Sequence, residues 1–265
     1  MSEEKFLTVK LDEKGERYIF PDSTKSKFGS DTDYLVQISE RDFDLAFDFA
    51  YAMTFAGKGE HNSTSFTRDS KHKRSVGEIF VNTLQGKLSE LATYNYCINN
   101  GHVCNEVDFS IGKLNYWDNI DLRINEKNTS IKSTKGYSMF LFLEVGNYDK
   151  HGNYKYPYDG KATITSYLLC RVQSKSGEFI EGILKSNRWL YSKQVNKEEL
   201  YKALKCRTWL VELSGFVSKT NLVKYVINES HIMEQGKIMG KSDEVMKVDN
   251  YYVHVSDLRF KYKKK

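Results

Sequence analysis

Two prolines, Pro21 and Pro157, are all that the 265 residues contain. No proline-rich linker divides the chain, and the length suits one sizeable domain, 1–265. Four cysteines occur, Cys97, Cys104, Cys170 and Cys206, without a C-x-x-C pair, and the six histidines show neither zinc-like nor H-N-H spacing. That pattern speaks against a zinc site and for reduced thiols in a cytoplasmic protein. No run of about 18 apolar residues exists, so no membrane span is expected. The opening MSEEKFLTVKLDEKGE lacks the apolar stretch of a signal peptide. Internal repeats and low-complexity tracts are missing as well.

What is present is a globular composition, 40% hydrophobic and 14% aromatic. The net charge of +5 permits a polyanionic partner without requiring one. The excess is concentrated in SKHKR, with Lys71, Lys73 and Arg74, and in the terminal KYKKK. Each reads as a phosphate-contacting patch or as a solvated segment.

The hydrophobic pattern predicts a hairpin within 6–20, a helix over 40–56 opened by Ser39 and stopped by Gly57 and Gly59, and a longer helix from Ser75 to Gly101. Ser75 with Glu78 forms a capping box, and Asn99-Asn100-Gly101 is a stop signal. Strands follow at 102–109, 119–124, 129–134, 138–145 and 163–173, then a helix near 196–206 and strands near 207–217 and 250–258. Trp189 and Trp209 are expected in the core. This order implies an α/β, mixed α+β fold with a central mixed sheet flanked by helices.

The chemistry gathers in NIDLRINEKNTSIKSTKG, residues 119–136. Side chains alternate along a strand, so Ile120, Leu122 and Ile124 share one face and leave Asp121 and Arg123 on the other. Across a turn at NEKN, Ser130, Lys132 and Thr134 lie opposite Ile131. Asp121 and Lys132 thus meet on one surface, which is either a catalytic face or the wet side of a hairpin. On the preceding helix, QGKLSEL places Gly86 and Glu90 one turn apart. A mid-helix glycine costs about 1 kcal/mol against alanine and is tolerable where a substrate or another backbone comes close.

A helix bearing G-K-x-x-E, followed by D-x8-S-x-K and then S-T, resembles the PD-(D/E)xK nuclease superfamily, and within it the type II restriction endonucleases. The similarity covers about 75–175, with the string IKSTK, which includes Lys135, the most telling part. It implies a restriction-endonuclease-like core, a Mg²⁺ cofactor, double-stranded DNA as substrate and a homodimer. Glu90 and Asp121 would then bind the metal, Lys132 would act beside the attacking water, and Lys71, Lys73, Arg74 and Lys135 would contact DNA. Two departures stand out. Ile120 replaces the proline of P-D, and Ser130 replaces the second strand acid. Some enzymes of this kind carry serine there and supply the missing acid from elsewhere, for which Glu90 is the first choice and Glu144 the second, with Asp118 assisting Asp121.

The expectation is therefore a Mg²⁺-dependent, sequence-specific endonuclease. The alternatives are a structure-specific repair or recombination nuclease of the same superfamily, and a DNA-binding protein whose site has decayed at Ser130.

Overall fold

The computed structural model describes residues 6–20, 27–59, 74–111, 120–155, 163–240 and 244–258. Along the chain these form β1 (Lys10–Leu11), β2 (Arg17–Ile19), β3 (Leu35–Gln37), α1 (Glu40–Met53), α2 (Val76–Asn99), β4 (Leu122–Ile124), β5 (Lys127–Lys135), β6 (Phe140–Glu144), β7 (Ser166–Ser174), α3 (Ile180–Ser186), α4 (Lys197–Lys205), β8 (Trp209–Ser218), α5 (Lys219–Leu222), β9 (Ile232–Met233), β10 (Ile238–Met239) and β11 (Asn250–His254). A π-helical turn, Val223–Ile227, continues α5.

The helix α2 forms where its capping box directs it. Ser75 Oγ accepts from the Glu78 N–H at 3.2 Å, and Glu78 Oε2 accepts from the Ser75 N–H at 2.7 Å. At the other end Gly101 turns into the left-handed region at φ 73°. Ser39 caps α1 in the same way, through Asp42 N–H. That helix ends at Met53, short of 56, because Thr54 leaves helical geometry and its hydroxyl bonds back to the Ala50 carbonyl.

The central sheet is mixed, with strand order β3-β8-β7-β5-β4. Strands β5 and β7 are parallel and the other neighbours antiparallel. One face packs on α1, α2 and α4 through Phe47, Phe80, Leu84, Leu88, Leu200, Leu122, Ile124, Ile131 and Leu168. The other face of β7 and β8 meets β6, α5 and β11 through Tyr167, Leu169, Val217, Leu141, Leu222 and Val253. Burial on both faces explains why β7 reads as an almost continuous apolar run. The fold is thus mixed α+β with helices on the sheet, as the residue pattern implies. Strands β3 and β8 join that sheet from outside the span 75–175.

Two smaller sheets complete the described residues, with orders β6-β11-β9 and β1-β2-β10. One charged pair is enclosed between β7 and β8. Arg171 is fully buried, with its guanidinium 2.6 Å from Glu212 Oε1, and the Gly29 N–H donates to Glu212 Oε2 at 2.6 Å.

The expected strand 102–109 is not a strand. It makes a single bridge, Cys104 to Ile124, and Val103 pairs with Asn125 through its N–H and carbonyl. Val103 is 75% exposed, and Cys104, Val107 and Phe109 hold the segment to the core through side chains rather than through a ladder. Trp209 is buried and its indole N–H donates to the Leu204 carbonyl at 3.0 Å, while Trp189 is only partly buried at the core's edge. All four cysteines are free. Among the described residues no helix is long and apolar enough to cross a membrane.

Candidate functional site

The hairpin β4–β5 turns on two residues, Asn125 at φ 45° and Glu126 at φ 65°. Positive φ at both central positions is the type I′ geometry whose twist matches that of the flanking strands. The register sets Leu122 opposite Thr129, which places Asp121 next to Ser130 at the start of β4. Leu122 and Ile124 are fully buried against the helical layer.

The Asp121 side chain acts in the plane of the sheet edge. Its Oδ2 accepts from the Ile131 backbone N–H at 2.5 Å and from Ser130 Oγ at 3.3 Å. A carboxylate oxygen thus takes the acceptor role that backbone would fill in a longer β4. Standing at the edge, it feels charge from both sides: Lys132 of β5, and Lys87 and Glu90 of α2.

The helix supplies the second acid. Asn82, Gly86 and Glu90 follow at i, i+4 and i+8 and form one stripe on α2. Glu90 is almost wholly buried, 2.6 Å from the Lys87 ammonium. That ammonium lies over the rings of Phe49 and Phe109, at 5.0 and 5.6 Å from their centres. Burial pushes the Glu90 carboxyl up to about 8, the neighbouring Asp121 charge adds to the rise, Lys87 opposes it and Asp108 adds a little more. Burial also raises Asp121, against the pull of Lys132, the Ile131 N–H, Lys87 and the Ser130 hydroxyl. Two desolvated carboxyls within electrostatic reach of one another favour a proton or a nearby positive charge, and Lys87 supplies one.

Lys132 is half-buried and has no ion-pair partner among the described residues. Lys135, by contrast, is 2.5 Å from Glu181 and lies over the Tyr137 ring. Arg74 feels the charges of Glu144 and Glu78. Glu144 is on β6, in another sheet, and accepts from Asn147 Nδ2 at 2.9 Å. The structure therefore brings Glu90, Asp121, Ser130 and Lys132 to one place and leaves Glu144, Arg74 and Lys135 elsewhere. Asp118, Lys71, Lys73 and the terminal KYKKK lie outside the described residues.

No protein-family model, curated protein or solved structure matches this chain. The site must be read from its own residues.

Two of those residues carry no role in the sequence reading. Lys87 sits inside the G-K-x-x-E string but becomes notable only through its contact with Glu90 and the two rings. Asp108 reaches the site from the segment before the hairpin, where its carboxylate is held by the Ser110 N–H and hydroxyl at 2.7 and 2.8 Å. Its only sequence signal is an Asp two residues before a Ser, a common local turn. Among the described residues no group of three or more histidine, cysteine or acidic side chains forms a ready metal cluster. The donors at hand are two carboxylates with a serine hydroxyl beside them. That set fits a hard divalent cation that keeps several of its waters.

Proposed function

We propose that this chain is a Mg²⁺-dependent, sequence-specific double-stranded DNA endonuclease with a restriction-endonuclease-like core, acting as a homodimer in the manner of type II restriction enzymes. The observation that carries the reading is the pair Glu90–Asp121. A helix and a sheet edge press two carboxyls together in a nearly dry place, with an uncommitted lysine alongside. Lys87, paired with Glu90 at 2.6 Å, and Lys132 offset part of the repulsion in the metal-free protein, and a bound cation would offset the rest of what burial of two acids costs.

Glu90 and Asp121 would hold the cation. When bound, Mg²⁺ supplies positive charge to the phosphate and acidifies a coordinated water. The protein's own groups do the rest. Ser130 Oγ and the Ile131 N–H fix one Asp121 oxygen and leave the other available. Lys132 holds its charge beside Asp121, where it can stabilise hydroxide and the charge that builds on the phosphate. Lys87 neutralises Glu90 until the cation arrives.

Incubation with plasmid DNA tests the reading. Discrete fragments are expected with MgCl₂ and none with EDTA. Lys132→Ala should lose cleavage while keeping DNA binding, and Asp121→Ala should lose it too. Full activity in Asp121→Ala would remove the site assignment. A smear, or cuts only at junctions, would favour the structure-specific nuclease. Binding without cutting would favour the decayed site, for which the serine at position 130 is the specific observation.

A further inference from the structure

Between α2 and β5, on the elements that carry Glu90 and Ser130, lies a cleft of about 470 Å³. Asn82 and Gln85 of α2 form one wall, Ser133 and Thr134 of β5 the facing wall, and Phe140 and Phe142 of β6 belong to its aromatic part. The Lys135–Glu181 ion pair borders it, 2.5 Å between charged atoms. A second cleft of about 560 Å³ continues from it past Asn82 and the same ion pair.

The chemistry of this cleft differs from that of the carboxylates. Its lysine is already matched by Glu181, so the cleft offers little to a phosphate. Its amides are under-used. Among the described residues the Gln85 side-chain amide makes one hydrogen bond, a long one of 3.5 Å from Nε2 to Ser133 Oγ. Its amide has two donors and two acceptor lone pairs to offer. Asn82 is exposed at the rim, one turn from Gly86. Over Gly86 no atom lies within 4 Å of where a Cβ would stand, so the helix backbone there is open to close approach. A neutral group with a hydrogen-bonding edge, as a base presents in a duplex groove, suits these walls.

We infer that this cleft reads a base of the DNA, with Asn82 and Gln85 presenting their amides to the base edge. The inference rests on the nuclease reading. Asparagine and glutamine pair with adenine through its N7 and N6 positions, so adenine is the expected base. Its distance from the cut follows from helix geometry for a duplex lying along α2. At 1.5 Å per residue, Gln85 lies about 7.5 Å and Asn82 about 12 Å along α2 from Glu90. With bases stacked about 3.4 Å apart, that is roughly two to four base pairs from the phosphate held at Glu90 and Asp121.

The test is to sequence the ends of fragments cut from plasmid DNA by the wild-type protein, by Asn82→Ala and by Gln85→Ala. Asn82→Ala is on an exposed helical position, where alanine favours the helix, so that variant is expected to fold. Wild-type ends should show a base preference two to four pairs from the cut. Asn82→Ala should weaken that preference about 10-fold, with preferences at other positions kept. Unchanged preferences in both variants would overturn the inference while leaving the nuclease reading intact, as would a uniform loss of rate without change in the ends. Absence of any wild-type cleavage would overturn both.

Discussion

Replacing Glu90 by glutamine should stabilise the metal-free protein, and by an amount that grows with pH. The folded carboxyl keeps its proton up to about 8, against 4.5 for an ordinary glutamate. Between those values the folded state binds more protons than the unfolded chain, so wild-type stability falls as pH rises, fully present near the lower value and lost by the upper one. At about 1.4 kcal/mol per pH unit, the loss between pH 5 and pH 9 is on the order of 3–4 kcal/mol. Glutamine keeps the shape and never ionises, so Glu90→Gln escapes that loss. Urea unfolding in EDTA at pH 5, 7 and 9 measures the difference. The two proteins should be nearly equal at pH 5, and the variant should lead by a few kcal/mol at pH 9. Adding Mg²⁺ should narrow the gap, since a ligand at ten times its dissociation constant stabilises the fold by about 1.4 kcal/mol. A gap that does not change with pH, or a variant weaker at pH 9, would refute the picture of a buried carboxyl whose charge Lys87 only partly compensates.

Gly86→Ala meets no neighbour and should gain about 1 kcal/mol of helix stability. Thermal unfolding should show a higher Tm, while plasmid cleavage falls because the new methyl group narrows the approach to the helix; unchanged cleavage would take Gly86 off the substrate face. Glu126→Gly relieves a side chain held at φ 65° and should add about 1 kcal/mol in urea unfolding; a loss would mean that the glutamate side chain contributes more than its backbone costs. Glu212→Ala removes the carboxylate 2.6 Å from the buried Arg171 and should cost about 3–5 kcal/mol, whereas replacing both by methionine should recover most of it. A small cost for the single change would show that other groups already compensate the guanidinium.

The parts of the fold legible in the sequence are those whose signal is local and repeated. The capping box of Ser75 and Glu78 marks the start of α2 to within a residue. The alternation in 119–136 places Asp121, Ser130 and Lys132 together, and the register of the hairpin agrees. Strands of two or three residues, such as β3, β9 and β10, carry no period to detect. Helix α3, seven residues with Gly182 inside, falls below the length at which helical periodicity stands out. The segment 102–109 misleads because its apolar side chains, Cys104, Val107 and Phe109, do pack on the core while its backbone forms only a single bridge to the sheet. Lys87 and Asp108 escape notice for another reason. Lys87 meets Glu90 through a local i, i+3 spacing on α2 that the sequence does carry, whereas its place over the Phe109 ring and the approach of Asp108 depend on how the segment before the hairpin folds back over α2, a path that nothing local encodes.

The serine at position 130 takes on a physical meaning from this arrangement. A third carboxylate there would stand beside Asp121, whose proton affinity burial already raises, as burial and the Asp121 charge raise that of Glu90. Each added like charge would raise both further and bind a proton where a cation is needed. The hydroxyl does the reverse. It donates to Asp121 Oδ2, at 3.3 Å, and thereby favours the ionised form. The Ile131 N–H does the same at 2.5 Å. The site thus trades one possible ligand for a donor that keeps another ligand ionised. On the proposed reading, a cation held by fewer acids would keep more of its own waters, and Lys132 would stand where it could act on one of them.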